Sequence, residues 1–460
     1  MSNDTKRAIV SPVTYELSRY MAEAASRPLP PDVSERAILH TLDTLASMIS
    51  GGELPAGERG FAYLDAVPGT PLCSVAGYAT KVGPLEAALT NGMLAHADET
   101  DDSHAPSLSH PGCAVVPAAL AIGEWKGASG AALLRAVALG YDVGSRVTMT
   151  LGIRRFFAQE HKSTHSVAGL FGATAAAASL AGFDDRKMRW ALDYAAQQSS
   201  GIAAWQRDPD HIVKAFVFGG MPARNGAAAA LMVDAGFTAV EDPFAGADNY
   251  FLAYGPDCDP AGLVDGLGTH FAIAHSNIKK WTVGSPIQAP LDAAEDLLRD
   301  HAFTAADVTR LVVEIGDREA KVVDNRGMPG VCVQHMLAIM LIDRTATFAS
   351  IHDEERMKDP EVLALRSKVE LIASEELGRA LPRREAKLTI ELADGRRLFK
   401  HITAVRGTSD NPMPRAEVVA KAQDLIAPLF GDEKTRRLVD MVLKLPELSA
   451  ISELGALLRR

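Results

Sequence analysis

Four carboxylates and three histidines fall within fifteen residues: His96, Asp98, Glu99, Asp101, Asp102, His104 and His110, with Ser103 and Ser109 between them. Carboxylates and imidazoles are the side chains that move protons near neutral pH. Such a loop is usually a solvated surface, but this one lies between two almost purely apolar segments, where unpaired charge is costly. The alternative chemistry is a metal site, since histidine and carboxylate suit zinc or manganese, although the spacing matches no closed-shell pattern. A second cluster, His161-Lys162-Ser163-Thr164-His165, precedes an apolar helix whose free amides favour an anion. A third runs from Arg207 through Asp208, Asp210, His211 and Lys214 to the glycine-containing loop Gly219–Gly226, and a fourth is Lys279-Lys280-Trp281. These lysines and histidines stand out in a chain of net charge −11, and a carboxylate-rich substrate needs such local cations.

Other chemistries lack their signatures. No phosphate-binding GxxxxGK[ST] loop, GxSxG elbow, HExxH helix or GxGxxG turn occurs, and residues 98–103 do not keep the offsets of a calcium loop. The acidic balance argues against nucleic acid. Four dispersed cysteines without a CxxC pair exclude a disulfide scaffold and fit a reducing compartment. The start of the chain does not read as a signal peptide, and the most apolar runs are too short for a membrane span. A cytoplasmic protein is expected.

These residues require elements to position them. Three- and four-residue apolar spacing predicts helices over Pro31–Ser50, Gly83–Ala95, Ala114–Trp125, Gly130–Leu151, Val167–Ala181 and Asp185–Ser199. Several are so rich in alanine that both faces must be buried and their axes can approach closely. After about residue 270 the pattern changes. Thr309–Ile315, Lys387–Leu392 and Arg397–Val405 read as strands, the last two joined by the turn dipeptide Asp394-Gly395. Helical patterns at Pro286–Arg299, Gln334–Ile342 and Pro360–Lys368 accompany them, and Arg415–Phe430 and Glu433–Leu445 return to helix. The expected fold is mainly α. Residues 1–270 and 405–460 would form a large all-helical domain, with an α+β domain inserted at 271–404 and a ligand cleft near the crossings.

Together these segments resemble the MmgE/PrpD family, which includes 2-methylcitrate dehydratase, cis-aconitate decarboxylase and iminodisuccinate epimerase. The family's N-G-x-x-x-H-x-x-D-F-D-D-T-H loop followed by H-P is matched by Asn91-Gly92 through His104, with His110-Pro111 behind it. Lys214 with its glycine loop resembles the K-x-L-H-x-G segment, and Lys279-Lys280-Trp281 resembles K-x-Y-P. The resemblance implies a large helical domain with a smaller α+β lid, a homodimer, and no obligatory metal or organic cofactor. Carried over by position, the family's acid/base and binding residues fall on Glu99, Ser103, His110, Lys214 and Lys279. The histidine before the alanine helix falls on His161 or His165, and Asp102, His104 and Gln288 join the substrate-binding set. Departures are Glu99 for Asp, Thr100 for Phe, Val217 or Phe218 for a second histidine, Gln288 for a lid histidine and His335 for a lid tyrosine. A histidine at 335 would add a group that exchanges protons near pH 7.

The implied chemistry removes or delivers a proton at a carbon next to a carboxylate, with lysines stabilising the enolate-like charge. The expected activity is a lyase, and specifically a hydro-lyase, on a small di- or tricarboxylic acid. A decarboxylase, an epimerase of an amino- or iminodicarboxylate and a non-catalytic carboxylate binder are the alternatives.

Overall fold

The computed structural model describes residues 10–460, apart from the side chain of Arg154. The described chain is mainly helical and divides into two compact units, residues 10–276 with 425–460, and residues 277–424.

In the first unit the expected helices run over Pro31–Gly51, Pro84–Ala95, Gly112–Lys126, Gly130–Thr150, Thr164–Leu180 and Asp185–Gln198. Local chemistry sets their starts. Ser129, Ser163 and Asp184 are N-caps whose side chains accept from Ala132 N, Ser166 N and Lys187 N at 3.2, 3.3 and 2.8 Å. Helices Gly112–Lys126 and Thr164–Leu180 are buried along nearly their whole length, as alanine-rich sequences without a polar face require. A Cβ on Gly172 would lie 2.6 Å from Gly140 O, so helices Thr164–Leu180 and Gly130–Thr150 touch backbone to backbone there.

The second unit holds the one sheet among the described residues. Its strands are β1 (Val308–Gly316), β2 (Val369–Ser374), β3 (Ala386–Leu392) and β4 (Arg397–Ile402), in the order β2-β1-β3-β4. The β3–β4 hairpin turns through Asp394-Gly395, with Gly395 at φ +87° as that turn demands. Strand β2, parallel to β1, is absent from the sequence reading. It is an edge strand with several exposed side chains, so its hydrophobic alternation is weak. Leu311, Val313, Leu388, Ile390, Leu398 and Ile402 share one core with Leu291 and Leu297 of helix Ser285–Asp300 and Met336 and Met340 of helix Val333–Asp343.

The second crossing lies after Asp424, later than the expected 404/405. Residues 405–424 are tied into the second unit. Arg406 N donates to Asp292 Oδ2 at 2.7 Å, Arg406 pairs with Glu417, Ile278 N donates to Gly407 O at 3.0 Å, and Phe348 N donates to Asp424 Oδ2 at 3.2 Å. Helix Arg415–Leu443 breaks at Gly431 (φ 72°, ψ 161°), where the two expected helical patterns meet. No described helix is long and apolar enough to cross a membrane.

Candidate active site

Three helix ends and one loop converge in the first unit. His96 caps the C-terminus of helix Pro84–Ala95, His110 immediately precedes helix Gly112–Lys126, and His165 lies in the first turn of helix Thr164–Leu180. His211 precedes the short helix Ile212–Ala215 that carries Lys214, and a π-helical turn, Phe216–Gly220, follows. Irregular turns of this kind often mark functional sites. The turn is held close by small residues: a Cβ on Gly92 would lie 2.6 Å from both C and O of Gly219. Asn91, beside it in the same motif, is structural, since its amide accepts from Ala76 N and donates to Ser74 O.

Phe218 is the centre of the cluster. Its ring stacks on His165 at 3.7 Å and on His96 at 4.4 Å, lies 5.5 Å from His110, and meets Trp205 edge-on at 4.7 Å. His96 and His110 are 5.0 Å apart, His96 and His211 5.2 Å, and His110 and His165 5.3 Å. Asp101, fully buried, joins two of these rings: Oδ1 accepts from His96 Nδ1 at 3.0 Å and from His110 Nδ1 at 3.1 Å. Burial pushes the Asp101 carboxyl up, but the two histidines outweigh it and hold the group well below the usual range. With both Nδ1 atoms committed, Nε2 is the outward atom of each imidazole.

Lys214 Nζ pairs with Glu99 Oε1, and its ammonium lies 5.3 Å from the Phe218 ring and 5.6 Å from Trp205. His211 Nε2 is 4.0 Å from the same Glu99 oxygen. Burial, then the charge of Lys214, lowers His211 to about 3 against the opposing pull of Glu99. Burial and the neighbouring His110, His96 and Lys214 hold His165 well below its ordinary range. Both rings are therefore neutral at pH 7. His211 also sits at φ +63°, a conformation that non-glycine residues rarely hold without reason.

Of the expected residues, Glu99, His110, His165 and Lys214 come together here. Ser103 is buried in the same loop. His161 is exposed, at φ +56°, with its carbonyl accepting from Ala203 N at 2.8 Å, so His165 is the member of that pair in the cluster. Asp102 and His104 take other directions. Asp102 Oδ2 accepts from His40 Nδ1 at 2.6 Å and from the Tyr141 hydroxyl, and Oδ1 accepts from Gly112 N at 3.0 Å. Its bonds tie a helix start to the core. His104 donates or accepts through Nδ1 with Ser107 Oγ at 2.7 Å, and burial together with His275 lowers it to about 4. It is a neutral part of the loop framework.

The other candidates belong to the second unit. Lys279 is almost wholly buried. Gln288 accepts from Trp281 N at 3.1 Å and donates to Trp281 O and Val283 O at 2.7 and 2.9 Å. Its amide holds the turn after Lys279. His335 lies inside helix Val333–Asp343, fully buried, with neither ring nitrogen hydrogen-bonded. Burial, then Arg366 and Arg356, lower it to about 4 against Asp353. The expected proton exchange near pH 7 is corrected accordingly: this imidazole is neutral there.

His96, Asp101, His211, Phe218 and Trp205 complete the cluster although the position-by-position reading did not select them. His96 and Asp101 stood within the motif and His211 three residues before Lys214, so proximity to the selected residues was the available signal. Phe218 was marked only as one of two residues standing in place of the family's second histidine, and nothing local marked Trp205. Among the described residues, two groups could hold a metal ion: His96 with Glu99 and His211, and His96 with Asp101 and Cys113. In the second, Asp101 Oδ1 is already shared by two imidazoles and Cys113 Sγ donates to His110 O at 3.1 Å.

The chain is similar to cis-aconitate decarboxylase from Aspergillus terreus, 26% identical with 97% of this chain and 96% of that protein covered. It is similar at 24% identity to the cis-aconitate decarboxylase-like protein oryM of Aspergillus oryzae, with 97% of each covered. The MmgE/PrpD N-terminal domain matches residues 15–261 and the MmgE/PrpD C-terminal domain matches residues 281–447. With both halves matched, this chain belongs to the MmgE/PrpD family.

Proposed function

We propose that the protein is a lyase acting on a small di- or tricarboxylic acid, with the reacting carbon next to a carboxylate. The observation that carries this reading is the Asp101 bridge beside Lys214. One buried carboxylate orients His110 through Nδ1, leaving Nε2 to exchange a proton with substrate, and a neighbouring ammonium offers a charge for a substrate carboxylate. Lys279 is proposed as a further carboxylate-binding cation.

Decarboxylation is the first reaction to test, supported by similarity along nearly the whole chain to proteins named cis-aconitate decarboxylase. The C–C bond to one carboxylate breaks, carbon dioxide leaves, and the electron pair stays on the substrate carbon as an enolate-like charge facing Lys214. His110, entering the step as the imidazolium with Nδ1–H held by Asp101, then delivers its Nε2 proton to complete the product and is left neutral. The stabilising ammonium is worth most where water is excluded, as among these buried rings. Dehydration is the second reading, favoured by the second imidazole 5.3 Å from His110. His165 would accept the proton from carbon while His110 protonates the leaving hydroxyl.

The test is NMR in D₂O on a panel of aconitate-, citrate- and aspartate-derived acids. Carbon dioxide with one solvent deuterium in the product, at the vacated carbon or at the far end of a conjugated double bond, names the decarboxylase, water loss the hydro-lyase, and altered chirality without mass loss an epimerase. Tight binding of these acids with no deuterium wash-in and no product would overturn the lyase reading.

A further inference from the structure

We propose that His96, His211 and Glu99 form a binding site for one divalent transition-metal ion of zinc-like preference. Two buried imidazole nitrogens point to it. His96 Nε2 and His211 Nε2 have no hydrogen-bond partner, His96 being fully buried and the His211 side chain only 9% exposed. A buried polar atom without a partner is rare in a folded protein and calls for an explanation. One ring nitrogen of each histidine and a Glu99 carboxylate oxygen lie within 4.8 Å of one another. Three tetrahedral ligands at bond lengths of ~2.1 Å are ~3.4 Å apart, so side-chain rotation must draw the three atoms together by up to about 1.4 Å.

The surroundings fit the same conclusion. Asp101 accepts from His96 Nδ1 at 3.0 Å, the carboxylate–histidine arrangement that orients metal-ligating imidazoles. The left-handed backbone of His211 turns its ring into the cluster, 5.2 Å from His96. Two imidazoles and one carboxylate suit zinc or cobalt, with room for further ligands. The resident competitor is Lys214, whose ammonium pairs with Glu99. An ion on Glu99 would displace that ammonium and release it toward a substrate carboxylate. This last coupling rests on the lyase reading, whereas ion binding does not, and no step of turnover is assigned to the ion.

The test is titration of the metal-free full chain with Co²⁺, followed by its visible absorption bands, and with Zn²⁺ by calorimetry. We expect one ion per chain. His211→Ala should weaken binding at least ~10-fold. Glu99→Gln, which keeps the side chain's shape, carries the same expectation if His211→Ala fails to fold. Lys214→Met should tighten binding several-fold by removing the competing charge. No binding at millimolar metal, or equal affinity in the parent and both ligand variants, would overturn the site. The readout is spectroscopic, so its failure leaves the lyase reading intact, and an inactive enzyme would leave the metal result intact.

Discussion

Gly92→Ala tests whether the histidine cluster is held by backbone contact. The new Cβ would sit 2.6 Å from C and O of Gly219 and 2.9 Å from Gly220 Cα, where ordinary contact is 3.4 Å or more. All three atoms are backbone, so no rotamer change can relieve the clash. Helix Pro84–Ala95 and the turn Phe216–Gly220 must separate by roughly 1 Å, losing the dispersion that close contact provides. Overpacking of this kind costs about 1–3 kcal/mol, and the upper part of that range is expected against backbone. The separation also moves Phe218, 4.4 Å from His96, and with it the ring that backs His165. A displacement near 1 Å in a catalytic constellation lowers turnover by about 10²-fold. The assay pairs thermal melting with turnover on the best acid from the panel. Gly327→Ala is the control, because its Cβ meets nothing within 4 Å and its φ is ordinary; it should stay within about 0.5 kcal/mol. A Gly92→Ala protein that melts and turns over like the parent would refute the backbone-contact argument.

Lys214→Ala should lower kcat by about 10²–10³-fold with the melting temperature nearly unchanged, by loss of the charge that stabilises the developing anion, and near-normal kcat would remove Lys214 from the site. Lys279→Ala is expected to act in the same direction, read in the same steady-state assay. Gln288→Ala strips three hydrogen bonds from the Trp281–Val283 turn and should cost about 2–4 kcal/mol in denaturant unfolding; an unchanged midpoint would deny it the bracing role. His335, lowered to about 4 from 6.5, binds its proton more readily in the unfolded chain, so it contributes stability above pH 6.5 that is lost as the pH falls toward 4. His335→Leu should flatten that acid loss in pH-dependent melts without altering the activity profile between pH 6 and 8, and a changed profile there would restore His335 as a proton carrier.

Much of the architecture was legible because its causes are local. Helix periodicity, alanine content and the caps at Ser129, Ser163 and Asp184 act within a turn or two of chain, and the observed helices end within a few residues of the expected ones. The Asp394-Gly395 hairpin is local in the same sense. So is the loop motif, whose apolar flanks pointed to burial of its carboxylates and histidines. What escaped was non-local. Edge strand β2 exists through pairing with β1, more than fifty residues earlier in the chain. The second crossing moved to residue 424 because Arg406, Gly407 and Asp424 bond to partners far away in sequence.

The site divides in the same way. The family resemblance, carried over by position, singled out Glu99, His110 and Lys214, which the fold brings into one cluster. Tertiary structure alone chose His165 over His161, four residues away, by burying one ring and leaving the other exposed. It also sent the adjacent carboxylates of Asp101 and Asp102 to different partners, one joining His96 and His110, the other joining His40, Tyr141 and Gly112. And it decided that His335 is neutral at pH 7, since an imidazole's charge depends on burial and on the arginines folded around it. Side-chain chemistry is written in the sequence, but direction, burial and field come from residues brought together from distant parts of the chain.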